Sequence, residues 1–324
     1  MPGRAAIGIA LGVVALAACS RAAPPEPAPG FAGNGLGGGG APATLDWEHP
    51  AAFLALDAGE AARRLGSFEW AGTASFTATS QAAGAGRVHV AERHRVRQSV
   101  DGDFEVEAEV DDGRGPGGEA GKQVAFVGGL TYARARFAPW RRRPTDHGRD
   151  ARRFRDESFA LAGDLARLQG PALQLTPAGE TRFLGRPARR YLVSLARQAT
   201  ASSAADPRLF PAGGPDEETR RHLAFLDGRV PVAASGELLL DAGTGVLLQA
   251  RLSAAFSVKD DPRLRVQVEV AGEVKALGPA VAAVVAPSNA LDDDRKPPGV
   301  ALALERAGYK SREKAAAAEP ADEL

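Results

Sequence analysis

From Phe104 to Val110 the sequence reads Phe-Glu-Val-Glu-Ala-Glu-Val, apolar at each even position and glutamate at each odd one. In an extended chain successive side chains point to opposite faces, so this strict period of two dictates a half-buried strand, greasy on one side and charged on the other. The same alternation runs through Phe68, Trp70, Gly72, Ala74 and Phe76, and again through Val88 and Val90. Asp101-Gly102 and Asp112-Gly113 separate such segments with residues that tolerate positive φ, the turn chemistry that makes successive strands antiparallel. Lys122 to Phe137 continues the series with Val124, Phe126 and Val127, a Gly128-Gly129 kink, then Leu130 and Tyr132. Leu173 and Leu175 mark a short strand and Arg190 to Ala196 another. The chain then closes on a meander: Gly236 to Asp241, a Gly243-Thr244-Gly245 turn, Val246 to Val258 and Leu264 to Val274.

Three segments carry helical spacing instead. Pro50 to Leu65 holds Phe53, Leu54, Leu56, Ala61 and Leu65, and Asp57 followed by Glu60 forms a capping-box pattern, so one broken or two short helices are expected. Ser158 opens a segment with Leu161, Leu165 and Leu168 on one face, stopped by Gly170 and Pro171, and Asp216 starts another carrying Leu223, Phe225 and Leu226. A one-sided sheet must cover its apolar face, and these are the available covers. The expected fold is mainly β: a curved, incompletely closed antiparallel sheet or half-barrel over residues 46–296, with helices on its concave face. Phe68, Trp70, Phe104, Val106, Phe126, Leu238, Leu240, Val266 and Val268 are the candidates for the inner face. A one-residue slip in register would turn any of these strands over.

The ends of the chain read differently. Arg4 and the apolar run from Ala5 to Ala15, too short to span a bilayer, read as an export signal. Its end, Leu16-Ala17-Ala18-Cys19, resembles the bacterial lipobox, which implies removal of residues 1–18 and acylation of Cys19, the one cysteine in the chain. An ordinary secretory signal with a cysteine at its cleavage site is the plainer alternative. Residues 19–45 are rich in Pro and Gly and read as a tether, because they lack the apolar content that offsets chain entropy. Residues 297–324 form a tail that ends in Ala and charge, the composition of a disordered terminus. The address implied is the cell envelope, anchored through Cys19 and facing the periplasm. Ser20 after the cysteine leans towards the outer membrane.

Several function classes are disfavoured. Forty basic residues balance 40 acidic ones, so no whole-chain field favours nucleic acid. Without a cysteine the body has no disulfide, thiolate metal site or thiol nucleophile. Gly33-Gly35-Gly38 and Gly113-Gly115-Gly118 match G-x-G-x-x-G, but neither lies between a strand and a helix, so no nucleotide cofactor is expected. Histidines 49, 89, 94, 147 and 222 show no metal-ligand spacing and read as surface residues, with His89 and His94 on opposite faces of one strand. No nucleophile elbow appears, so no catalytic residue is assigned and an enzyme is not expected. One arginine-rich stretch stands out: Arg134 and Arg136, then Arg141, Arg142, Arg143, Arg149, Arg152, Arg153 and Arg155, interrupted by Phe137 and Trp140. Arg141, Arg142, Arg143, Arg152 and Arg153 with an interfacial Trp suit lipid phosphates or another anionic envelope polymer. A solvated loop neutralised by Asp146, Asp150, Asp156 and Glu157 is the plainer reading.

Two features, the helix followed by Phe68-Glu69-Trp70-Ala71-Gly72 and the hairpin Gly236-Glu237-Leu238-Leu239-Leu240-Asp241 closed by Thr244-Gly245, resemble the LolA/LolB-type lipoprotein-carrier superfamily over Asp46 to Pro287. The resemblance implies a curved sheet around helices with a hydrophobic cavity for acyl chains and no catalysis. Lipid or a lipoprotein would then be the ligand and the membrane, through Cys19, the other partner. The competing expectation is a structural or assembly lipoprotein that binds another envelope protein. With only 6% aromatic residues, the inner face can also close on itself. Neither the lipid nor the oligomeric state follows from the sequence.

Overall fold

The computed structural model describes residues 45–80, 87–113, 119–143, 147–196, 225–259 and 261–292. They form one open 12-stranded sheet with three α-helices and a further helical stretch at residues 225–228. In chain order come α1 (Ala58–Leu65), β1 (Phe68–Ser80), β2 (Arg87–Gln98), β3 (Phe104–Asp111), β4 (Glu119–Val127), β5 (Leu130–Ala135) and β6 (Arg141–Arg143). Next are α2 (Arg149–Phe159), α3 (Leu161–Gln169), β7 (Leu173–Phe183), β8 (Arg186–Leu195), β9 (Arg229–Asp241), β10 (Leu247–Val258), β11 (Asp261–Leu277) and β12 (Leu291–Asp292). The strand order is β12-β6-β5-β4-β3-β2-β1-β11-β10-β9-β8-β7, so β1 is central, flanked by its own hairpin partner and by a strand from the end of the body. All pairings are antiparallel except β12 on β6, and the two edges, β7 and β12, do not meet. The sheet is curved and not closed into a barrel.

The period of two translates directly into faces. Phe68, Trp70, Phe76, Val90, Val96, Phe104, Val106, Leu238, Leu240, Phe256, Val266 and Val268 share one buried core with the helices. Each large side chain removed from water contributes about 1.5–3 kcal/mol. The opposite face carries cross-strand ion pairs such as Arg93–Glu109 at 2.8 Å and Arg97–Glu105 at 3.0 Å, each worth about 0.2–1 kcal/mol at such exposure. Near one edge that face has a small core of its own, where Ala125, Tyr132 and Trp140 gather with Ala290, the Arg134 guanidinium lying 4.6 Å from the Trp140 ring.

At the centre Gly72 of β1 faces Gly272 of β11. The indole of Trp70 fills the space their missing side chains leave: a Cβ on Gly272 would sit 2.3 Å from its Cζ2. Phe159 then packs on both Phe68 and Trp70, with ring centres 5.4 and 5.2 Å apart. Helix α3 comes close to the chain below it in the same way, because a Cβ on Gly163 would lie 2.2 Å from the Leu54 carbonyl oxygen.

The first helical segment divides into a 3₁₀ turn, Pro50–Ala55, and α1. Asp57 caps α1 by accepting from the Glu60 amide at 2.7 Å, while the Glu60 carboxylate turns to Arg63 and Arg64 instead of closing the box. The second differs from expectation. The charged stretch before Ser158, which reads as a loop, is mostly helix α2, and Ala160 (φ −82°, ψ 8°) breaks it from α3. The inward face of α2 is Ala151, Arg155, Ser158 and Phe159, and two polar members of four hide the apolar period. Phe225 and Leu226, from the expected third helix, are buried, and Phe225 stands edge-on to Phe76 and Phe256. The rest of that helix, the signal, Cys19, the tether and the tail lie outside the described residues.

Candidate functional site

The candidate acyl-binding side chains are where the alternation put them, but they do not border a shared opening. Phe68, Trp70, Phe104, Val106, Leu238, Leu240, Val266 and Val268 are all at most 3% exposed and form packed core. The small void that Leu238 borders has a volume of about 10 Å³, one water's worth. Phe126 is the exception: half-buried, stacked on Phe104 at 5.5 Å, it reaches a much larger space.

That space is a groove of about 1260 Å³ running along the helices and past the β2–β3 and β4–β5 turns. Its apolar lining includes Leu54, Ala55, Leu56, Val100, Phe126 and Leu173, and its rim carries Arg63, Arg149, Arg152, Arg153 and Arg167. Acids partner most of these guanidinium groups: Arg153 bonds Glu157 at 2.8 Å, Arg63 bonds Glu60, and Arg167 bonds Asp164. Arg152 instead donates to the His147 carbonyl at 2.6 Å and lies 5.2 Å from the Phe126 ring.

The groove wall between α1, α2 and the β2–β3 turn is held by a buried polar cluster. Arg155, 6% exposed, donates to Gln98 Oε1 at 3.1 Å and to Asp156 Oδ1 at 2.9 Å, and its guanidinium lies 4.8 Å from the Phe104 ring. Gln98 passes the connection on to the Ser99 carbonyl at 2.8 Å, and Asp156 accepts from the Ala58 amide at 3.2 Å. Burial raises the Asp156 carboxyl above the ordinary aspartate value, Asp57 adds to the rise, and Arg155 opposes both. Every strong donor here already has a protein acceptor, so the cluster fixes the wall; the lining it shares with Leu54, Leu56, Val100 and Phe126 also carries the acids Asp57, Asp101, Asp103 and Asp164.

A second polar cluster lies under α2. His94, expected at the surface, is only 9% exposed at its side chain; its Nδ1 is 3.1 Å from Ser158 Oγ and its Nε2 is 3.2 Å from Glu92 Oε2. His89 does lie on the exposed face, beside Thr77. Ser158 is 1% exposed, so this serine, histidine and carboxylate meet in closed core where no substrate reaches the hydroxyl. Among the described residues no group of three His, Asp or Glu side chains is placed to hold a metal ion.

The arginine-rich stretch is divided by the fold. Arg141, Arg142 and Arg143 lie on β6 near the sheet edge, Arg142 paired with Asp292 at 2.6 Å, whereas Arg152 and Arg153 belong to α2 and the groove. Trp140, the expected interfacial aromatic, is 9% exposed and packed; Phe137 nearby is 92% exposed. The groove lining and the exposure of Phe137 were not legible in sequence, since both depend on how distant turns come together.

No family model matches the sequence, and no curated protein matches it. Solved structures that align with the chain include a DUF1329 family protein from Desulfovibrio piger (9% identity over 64% of this chain and 86% of that one, TM-score 0.21). A LolA superfamily protein from Nitrosomonas europaea aligns at 8% identity over 68% of this chain and 92% of its own, with a TM-score of 0.19. A beta-barrel-like protein of the domain of unknown function DUF1849 from Brucella abortus aligns at 7% identity over 65% and 100%, with a TM-score of 0.20. Superpositions this loose leave function to the geometry of the site itself.

Proposed function

We propose that this is an exported lipoprotein, held at the envelope membrane by acylated Cys19 and its tether, that binds an acyl chain in the groove beside α1 and α2 without catalysis. The observation that carries the reading is the groove. It is larger than the roughly 300–1,000 Å³ that ordinary small-molecule sites occupy, and its lining sets the apolar Leu54, Leu56, Val100, Phe126 and Leu173 beside arginines that suit a polar headgroup. This reading puts the site outside the packed sheet interior; of the expected residues it keeps Phe126 among the acyl-lining side chains and Arg152 and Arg153 among the anion contacts.

The test is organic extraction of the full chain purified from membranes, followed by mass spectrometry. Chains on Cys19 are covalent and stay with the protein, so extracted acyl species report the groove. Leu56→Asp and Val100→Asp each bring a carboxylate to the apolar lining and are expected to weaken binding of a fluorescent fatty acid by about tenfold, roughly 1.4 kcal/mol. An empty protein with no fatty-acid affinity would refute the reading. It would favour a docking role for another envelope protein, a reading that the filled interior and the mostly exposed edge strand β7 support.

A further inference from the structure

Phe137 is the most exposed large apolar side chain among the described residues, at 92%. It is also in a conformation that disfavours it. The Ala138 amide bonds the Ala135 carbonyl at 3.0 Å, closing a four-residue turn, and Phe137 has φ +63° while Arg136 does not share a positive φ. That is the type II geometry, whose third residue favours glycine, and a bulky side chain there is strained. Leu184 also has positive φ, but it shares a two-residue hairpin turn with Gly185, where both positions require it. Folding gains nothing from Phe137: the ring buries almost no surface and the backbone opposes it. A single exposed apolar side chain is ordinary, but one held against its backbone preference without burial points to a role outside folding, and a partner is the natural one.

The surroundings say which partner. Between Arg134 and Arg143 the chain has five arginines and no acid. The Arg136 guanidinium lies 5.0 Å from the Phe137 ring, and Arg134 rests on Trp140, whose burial anchors the base of the turn. An exposed phenyl ring with the Arg136 guanidinium beside it, on an arginine-rich turn, matches a bilayer interface, where the ring enters the acyl boundary and guanidinium forks meet phosphates. We infer that the β5–β6 turn is a membrane-contact finger, with Phe137 inserting into an anionic lipid surface and Arg136 and Arg141 meeting its headgroups. This does not depend on the groove being occupied.

The experiment uses the full chain carrying Cys19→Ser, so that no covalent lipid contributes, in flotation with phosphatidylcholine vesicles with or without phosphatidylglycerol. Binding is expected only with the anionic lipid and is expected to fall as salt is raised. Phe137→Gly is expected to reduce the vesicle-bound fraction by about tenfold or more, the value of burying one phenyl ring, while its Tm stays equal or rises because glycine suits the turn. Phe137→Trp is expected to keep binding and to gain quenching by brominated lipids. The inference is overturned if wild type ignores anionic vesicles, if Phe137→Gly floats like wild type, or if its Tm falls, which would mark the ring as structural.

Discussion

Trp70 and Gly272 offer the sharpest check on whether the sheet's interior is filled. Gly272 has no positive φ, so Gly272→Ala adds no backbone strain and acts only through its new methyl, which would lie 2.3 Å from Trp70 Cζ2. Overpacking of that kind costs about 1–3 kcal/mol, and replacing glycine by alanine in a strand returns about 0.5–1 kcal/mol, leaving a net loss of roughly 0.5–2 kcal/mol. Trp70→Phe removes the part of the indole that collides. It gives up about two buried carbons, at about 0.8 kcal/mol each, and also removes Nε1, which is buried with no hydrogen-bond partner among the described residues. In the double variant the alanine methyl occupies the space the indole vacates, so the two changes should offset one another by about 1–2 kcal/mol. Urea unfolding of all four proteins, with m held constant, measures the cycle. Additivity within about 0.5 kcal/mol would mean that the indole can swing aside into open space, and the argument for a packed interior would fail.

Arg155→Met leaves Gln98 Oε1 and Asp156 without their buried cation and should cost about 2–3 kcal/mol; a loss below about 1 kcal/mol in the same urea assay would show that the cluster is not what fixes the groove wall. Asp241 is 1% exposed, and although burial opposes it, Arg186 and the Thr244 hydroxyl hold its carboxyl below the ordinary aspartate value. A carboxyl lowered by folding stabilises the protein above its unfolded value, and that contribution disappears as pH falls through the folded one. Asp241→Asn should therefore be less stable at neutral pH and show a flatter acid limb in thermal melts; parallel acid limbs would contradict the assignment.

The sheet was legible because its signal is local. Phe104 to Val110 fixes a strand and its two faces from seven neighbouring residues, and the same holds for Phe68 to Phe76. What was hidden depends on register between distant segments. Gly72 meets Gly272 two hundred positions away, and only that pairing reveals why Trp70 closes the interior. His94 reads as a surface residue until Ser158, 64 positions on, lies over it. Helix α2 escaped notice since Arg149 to Glu157 carries charge on every side, and the Arg155 that it buries is indistinguishable in sequence from the Arg153 that it exposes.

The difference between α2 and α3 also explains where an opening forms. The inward side of α3 is Leu161, Ala162, Leu165 and Leu168, closed at its end by the buried Gln169, so it seals against β1, β10 and β11 chiefly by dispersion. The inward side of α2 places Arg155 and Ser158 over β2 and β3, so it is held by directed bonds to Gln98 and His94. Directed bonds fix a helix at particular points and leave the space between them and the neighbouring turns unfilled, because no apolar side chain extends from α2 to occupy it. The groove follows that boundary, with Phe126 and Val100 exposed to it on one side and Leu54 and Leu56 on the other. An opening beside a polar-faced cover thus owes much to which residues α2 turns inward, with α3 lining its other end. It follows that giving α2 an inward leucine in place of Arg155 together with leucine at Gln98 should draw the helix down, narrow the groove and weaken fatty-acid binding while leaving the protein folded.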